Sequence, residues 1–398
     1  MSSDVGRLDE ALDGFLDGHQ EEFVAFRRHL HAHPELSGEE HETTALIAER
    51  LRAAGFDPRL LSSGTGLWCD VGPGDGPMVA LRADIDALAM DDLKDVPYRS
   101  RIPGVAHACG HDVHTTVVLG AGLALASLLE RGTVRLIFEP AEETVPGGAL
   151  TVIDDGALDG VSAVFAFHCD PKLDVGTVGT RVGPVTSATD AVTISLVGPG
   201  GHTARPSQTV DLVPLAGRVA NEVPAALQRA VGDVELLLAF GAIHAGDAAN
   251  VIPTSAELRG SLRTPDTDLW DSAPRLLDDA LEDVLGPTGA GWSVQYARGT
   301  PPTVNTEAET TVLEAAVTET LGASARREAP RSMGGDSFAW YLERVPGSYA
   351  RLGVHDPARG EERLDIHAGT FDAHEGSIAT GIRVLATAAV RSIARRRE

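Results

Sequence analysis

Three histidines, a cysteine and an aspartate fall within residues 107–114, HACGHDVH, directly ahead of the apolar run 117–129. That run reads as a buried helix, so the cluster sits on the loop and first turn that feed it. Cys109 and His111 are two positions apart and would point to different sides of a helix, so they converge only on non-helical backbone. Gly110 between them supplies the freedom for that turn. A thiolate beside imidazoles suits a transition metal such as zinc, manganese or cobalt better than magnesium or calcium. The plainer reading is a helix N-terminus capped by Asp112 with solvated histidines around it. The density of ligand-type side chains favours the metal.

Other residues of the same chemistry stand at the ends of apolar runs. The strand expected over 78–82 leads into Ala83-Asp84-Ile85-Asp86, the strand over 133–138 into Glu139-Pro140-Ala141-Glu142-Glu143, and the strand over 163–167 ends on His168. Polar groups just past the C-terminal ends of buried strands stand where open α/β sheets place their ligands. His367, ahead of a final helix expected from Phe371, closes the set from the far end of the chain. A hydrolytic site with a pair of metals about 3.5–4 Å apart takes carboxylate, imidazole and thiolate ligands and leaves an edge open to water. Its candidates are Asp84, Asp86, Cys109, His111, Glu142, Glu143, His168 and His367. Adjacent Glu142 and Glu143 suggest divided labour, one coordinating and the other acting as general base.

The elements that must carry these residues alternate. Helices are expected over 8–33, where Leu12, Leu16, Phe23, Phe26 and Leu30 recur at helical spacing before Pro34, and over 39–54. Strands over 66–71, 78–82, 133–138 and 163–167 interleave with helices, which implies an α/β domain whose sheet is mostly parallel and flanked by helices. Past residue 184 the order is strand 190–197, helix 210–231, strands 235–243 and 257–264, helix 266–285 and strand 292–297. This β-α-β-β-α-β pattern is the split βαβ, or ferredoxin-like, unit. It reads as an insertion, so a discontinuous catalytic domain (1–184 and 298–398) is expected around a second domain (185–297). Helices over 307–321 and 336–343 and a strand over 349–353 complete the first.

The totals bound the partners. Of 398 residues, 33 are Lys or Arg and 58 Asp or Glu, a net charge of −25, which argues against nucleic acid or an anionic membrane as partner, since both need a basic footprint. Three cysteines, Cys69, Cys109 and Cys169, are too few and odd in number for a disulfide framework, so a reducing compartment is expected. The acidic start carries no signal-peptide pattern and no run reaches the roughly 18 apolar residues of a membrane helix, which makes the cytoplasm the expected location.

Taken together, FRRHLHAHPELS (26–37), LRADIDAL (81–88), HACGHDVH (107–114), Glu142-Glu143, His168, GGHTARP (200–206), NVIP (250–253), residues 262–264 and His367 resemble the metallopeptidase family of aminoacylases, hippurate hydrolases and auxin-conjugate amidohydrolases. The resemblance covers nearly the whole chain. It implies a zinc-peptidase-like catalytic domain and an activity on N-acyl amino acids. It further implies a pair of divalent metals (Mn, Zn or Co) on Cys109, His111, Glu143, His168 and His367, with Glu142 as the base. The inserted domain becomes a lid and a homodimer interface, and its His202 reaches a partner's site to steady the oxyanion. Three positions depart from the family pattern: Ser207 stands where His is usual, Gly335-Asp336-Ser337-Phe338 replaces a Ser-Glu-Asp-Phe run, and Ala89 replaces a proline.

The chemistry then runs as water activation. Metals make hydroxide available near neutral pH, Glu142 takes the proton, the amide carbonyl is attacked, and Glu142 passes the proton to the leaving amine. Asp84 would orient a coordinating group. Arg263, whose planar guanidinium pairs bidentately with a carboxylate, is the candidate for the substrate's carboxylate, with Arg259 as understudy and Asn250 nearby. Cleavage of a dipeptide or other small amide by the same site is the first alternative. A thiol hydrolase with Cys109 as nucleophile is another, though it leaves the paired glutamates idle. A non-catalytic metal-binding protein would have no use for Glu142.

Overall fold

The computed structural model describes residues 2–360 and 362–396. The periodic apolar residues of the first helix, α1 (Ser2–Ala32), are buried from Leu12 to Leu30, and the helix stops just ahead of Pro34. There follow α2 (His41–Ala53), β1 (Arg59–Leu60), β2 (Leu67–Val71), β3 (Met78–Asp84), α3 (His111–Leu128), β4 (Thr133–Glu139), α4 (Ala149–Asp154), β5 (Val161–Asp174), β6 (Val178–Thr180) and β7 (Gly183–Pro184). β3 lies between β4 and β5 and runs parallel to both. Along it Val79, Leu81 and Ala83 face one apolar core and Ala80 the other, the alternation of a strand buried on both sides. Arg82 and Asp84, in step with Ala80, leave on that second side.

Residues Thr186–Thr303 and Arg331–Asp336 form a compact unit of their own. It contains β8 (Ala188–Val197), β9 (Gly201–His202), α5 (Leu212–Val231), β10 (Leu237–Ala245), β11 (Val251–Ile252), β12 (Ser255–Thr264), α6 (Thr267–Leu285) and β13 (Gly291–Thr300). The four long strands pair antiparallel in the order β10-β12-β8-β13, and both helices bury their apolar faces on this sheet. That is the ferredoxin-like arrangement. Asp266 caps α6 by accepting the Leu269 N–H at 2.8 Å. The unit runs on past position 297 because Gly299 N–H is tied to Asp190 Oδ1 at 2.8 Å. It takes in residues 331–336 because Gly334 O accepts from Ser187 N at 2.9 Å and Met333 O from Arg263 Nη1 at 2.7 Å.

The first unit resumes with β14 (Val304–Asn305), α7 (Glu307–Leu321), β15 (Arg326–Glu328), α8 (Ala339–Leu342), β16 (Gly347–His355) and α9 (Gly376–Arg395). Its eight-stranded sheet has the order β1-β2-β4-β3-β5-β16-β6-β15. The central strands β4, β3, β5 and β16 are parallel, while β1, β2 and the β6–β16 pair are antiparallel, so the sheet is mixed at its margins. Helices α1, α3, α7 and α9 share the larger core, and α4 and α8 cover the other face.

Three expectations are corrected. β5 does not end at His168 but continues to Asp174, because β16 keeps pairing with it beyond that point. The last helix begins at Gly376, not at Phe371, since Phe371 is held in a turn by its N–H on Ala368 O at 2.9 Å. That helix is also long and apolar enough, by length and composition, to cross a membrane, where no such helix was expected. Most of it is buried against α3 and α7 in the core.

Candidate metal centre

The loop ahead of α3 turns at Gly110, whose φ of 93° is open to glycine and strained for other residues. The left-handed step puts Cys109 on the loop and His111 at the first position of the helix. A Cβ at position 110 would come within 2.7 Å of Cys169 Sγ. Gly110→Ala is therefore expected to cost about 2–4 kcal/mol of stability, from left-handed strain and overpacking together, and to lower metal content. A denaturation midpoint and elemental analysis of the same sample check both. The far end of the chain is stitched to this loop by His367 N–H on Ala108 O at 2.7 Å, with His367 itself at φ 60°.

These placements bring the expected ligands together. Cys109 Sγ lies 3.3 Å from His168 Nε2, His367 Nε2 lies 3.3 Å from Glu143 Oε1, and His111 Nε2 lies 3.8 Å from the same oxygen. The donor atoms of Cys109, His111 and His168 all fall within 4.8 Å of one another, as do those of Cys109, Glu143 and His367, and those of His111, Glu142 and Glu143. Cys109 and His111 each belong to more than one of these sets, so the clusters are contiguous. Both His111 Nε2 and Glu143 Oε1 are buried without a hydrogen-bond partner. Buried, partnerless donor atoms that face each other are costly unless a cation satisfies them. Thiolate, imidazole and carboxylate together fit first-row divalent ions.

Neighbouring groups aim the imidazoles. His111 Nδ1 sits 2.9 Å from Asp86 O and 3.2 Å from Asp86 Oδ1, leaving Nε2 toward the cluster. His168 Nδ1 is held by Cys169 O at 2.8 Å, with the same consequence. Asp84, His111 and His114 are also close enough to form a set. His114, however, has both nitrogens engaged: Nε2 accepts the Cys169 N–H at 2.8 Å, and Nδ1–H donates to Asp84 Oδ1 at 2.6 Å. Burial alone would raise the Asp84 carboxyl, but His111, His114 and Arg82 reverse this and hold it well below the carboxylate range. Burial opposes charge on His111, and Asp84 and Cys109 override it and raise its pKa. Burial pushes the Cys109 thiol up, so its ligating thiolate form calls for a cation beside it.

Several supporting residues had no role in the sequence reading. Arg82 donates to Glu139 Oε2 at 2.6 Å, Asp84 Oδ2 at 2.7 Å and Ser337 Oγ at 2.9 Å. Ser337, in the segment that departs from the family pattern, donates its N–H to Glu142 Oε1 at 3.0 Å. Two places earlier, a Cβ on Gly335 would lie 2.6 Å from Thr189 Oγ1, so the backbone passes too close for the usual side chain. Asp112 does not cap α3. It is buried against Arg27 Nε at 2.6 Å and His31 Nδ1 at 2.7 Å, which pins the helix start to α1. No local pattern signals those partners.

The remaining expected residues belong to the ferredoxin-like unit. β9 and β11 pair His202 with Val251, and Thr203 N–H reaches Asn250 O at 3.3 Å, so His202 and Asn250 are neighbours. His202 is exposed, and its Nδ1 accepts the Ala204 N–H at 3.0 Å, which leaves its proton on Nε2. Arg263 on β12 has Nη1 on Met333 O, and Arg259 is exposed and paired with Glu257 at 2.7 Å.

The profile of peptidase family M20/M25/M40 matches residues 80–391. A protein of Rhodococcus jostii (strain RHA1), whose name is that of a glutamate–cysteine ligase, is 45% identical over 367 residues, which are 92% of this chain and 46% of that protein. The chain thus spans about half the length of that relative. An N-acetyl-L-cysteine deacetylase of Bacillus subtilis (strain 168) is 37% identical over 368 residues, 90% of this chain and 88% of that one. Among solved structures, a dinuclear metal-binding M20 peptidase of Bacillus subtilis superposes with a TM-score of 0.84 at 31% identity, covering 95% of this chain and 99% of that one. The chain belongs to peptidase family M20/M25/M40.

Proposed function

We propose that this chain hydrolyses the amide bond of N-acyl amino acids, releasing a carboxylic acid and a free amino acid. The observation that carries the reading is the pair Glu142 and Glu143 beside His111. Glu143 stands 3.3 Å from His367 and 3.8 Å from His111, while Glu142 is turned to the Ser337 N–H. Cys109, His111, Glu143, His168 and His367 would hold a pair of divalent ions (manganese, zinc or cobalt), whose Lewis acidity makes water a nucleophile near neutral pH. Glu142 accepts the proton of the attacking water at its carboxylate and returns it to the departing amine nitrogen. The Ser337 N–H keeps that carboxylate from rotating. Asp86 fixes the His111 ring, and Asp84 fixes that of His114.

The ferredoxin-like unit acts as lid and homodimer interface in this reading. His202, with its proton on Nε2, is the donor to the developing oxyanion in the other subunit's site. Arg263 and Asn250 receive the amino-acid carboxylate. The acidic surface, with a net charge of −25, argues against nucleic acid or anionic membrane as partner, and a reducing cytoplasm suits the three free thiols.

The Cys109–His168 spacing of 3.3 Å also fits a thiol nucleophile and its base. Burial pushes that thiol up, the reverse of what a nucleophile needs. A screen of N-acyl amino acids tests the proposal, with N-acetyl-L-cysteine placed first because of the deacetylase relative's name, and with dipeptides as the competing class. Hydrolysis of N-acyl amino acids that stops with a chelator supports it. Turnover of dipeptides alone, or activity that resists chelation but dies with a thiol alkylator, overturns it.

A further inference from the structure

The segment 35–40, ELSGEE, overlaps the stretches that carried the family resemblance, yet it has no part in the reaction as derived. Its side chains point at the machinery all the same. Ala87 N–H bonds Glu35 O at 2.8 Å, which lays the segment along the exit of β3. Ser37 Oγ donates to Asp86 Oδ2 at 2.6 Å, and the same oxygen accepts the Glu143 N–H at 3.0 Å.

Glu40 is the less ordinary of the set. It occupies the residue just before α2, where a side chain commonly caps the helix, but it makes no cap bond. The cap is supplied by Glu35, which accepts the N–H groups of Glu42 at 3.0 Å and Thr43 at 2.8 Å. Glu40 is instead wholly buried, with Oε1 accepting both the Gly38 N–H and the Ala141 N–H at 2.8 Å. Ala141 immediately precedes Glu142 and, among the described residues, is one of two non-glycine positions with positive φ, at 54°. A left-handed alanine persists only where its surroundings hold it. The carboxylate that holds it comes from 101 residues upstream.

We propose that Glu40 is a positioning residue that fixes the left-handed turn at Ala141 and so sets the direction in which Glu142 presents its carboxylate. This rests on the reading of Glu142 as base. The experiment uses the metal-loaded full chain and whichever N-acyl amino acid it turns over best. Glu40→Ala lowers kcat about 100-fold, as a displaced base does, and leaves KM within about threefold. Glu40→Gln, which keeps an oxygen for the two N–H groups, stays within about fivefold of the unaltered enzyme, a rescue that simple loss of folded protein does not give. If Glu40→Ala does not accumulate as folded protein, Glu40→Asp, which withdraws the oxygen by about one C–C bond, ~1.5 Å, carries the test against Glu40→Gln. A kcat for the Ala or Asp variant within about threefold of the unaltered enzyme, or a Gln variant as slow as they are, overturns the proposal. Glu142→Gln is measured alongside. If that variant is fully active the base assignment has failed, whereas an inactive Glu142→Gln beside an active Glu40→Ala sinks this proposal alone.

Discussion

Glu142→Gln is expected to turn over 10²–10⁴-fold more slowly, roughly the share of rate that a positioned general base supplies. The substitution is close to isosteric, and the amide oxygen still accepts the Ser337 N–H that the carboxylate accepts at 3.0 Å. It removes the ability to take a proton and little else. KM should therefore change far less than kcat, the signature of an interaction made on the way to the transition state. Metal content should stay at the unaltered level, because all five proposed ligands remain. Glu143→Gln makes the contrast: its Oε1 faces both His111 and His367, so that variant should lose metal as well as rate. Steady-state kinetics and elemental analysis on the same preparations separate the two glutamates. A Glu142→Gln enzyme with unchanged kcat would place the base elsewhere.

The second large effect is on stability. Arg82 is buried among Asp84, Glu139 and Ser337, and Tyr341 donates a further hydrogen bond to Glu139 at 3.0 Å. Arg82→Met keeps much of the volume but strips two buried carboxylates of their shared cation. Breaking a buried ion pair in this way costs about 3–5 kcal/mol. The pH dependence has a definite sign. Asp84 is held below its unfolded value, so its contribution is present above about pH 4 and is lost as pH falls through the folded value. His111 and His114 still hold Asp84 low in Arg82→Met, so the deficit should persist from neutral pH down to about pH 4 and shrink only below it, as Asp84 takes up its proton. Chemical denaturation of both proteins at pH 7, near pH 4 and below it checks the size and the trend. Equal stability at pH 7 would mean that the network is solvated in solution.

Much of the centre could be read before the fold was seen, for a physical reason. Ligand chemistry is carried by residue type, and Cys109, Gly110 and His111 announce a non-helical turn by spacing alone. Strand exits are marked by where apolar runs stop, which located Asp84, Glu142 and Glu143. The groups that hold those ligands were not legible. Strand alternation says that Arg82 lies on one face, but not that it meets Glu139 on the next strand and Ser337 at 255 residues' distance. Asp112 looked like a helix cap because caps are local, whereas its partners, Arg27 and His31, come from α1. His168 looked like a strand end because its polarity interrupts an apolar run. It is a strand interior because β16 supplies hydrogen bonds beyond it. Glu40 went unnoticed for the same reason: its acceptor atom serves a backbone N–H that no pattern in the first fifty residues foretells.

The proposed hydrolysis depends on one cluster of side chains holding divalent ions that make water attack an amide. The most direct measurement is elemental analysis of the purified chain before and after exhaustive chelation, with hydrolysis of an N-acyl amino acid followed at each stage. Divalent metal is expected at up to a pair of ions per chain, with activity that disappears when it is removed and recovers in proportion to the manganese, zinc or cobalt added back. A chain that is metal-free and still hydrolyses the same substrate at an undiminished rate would contradict it.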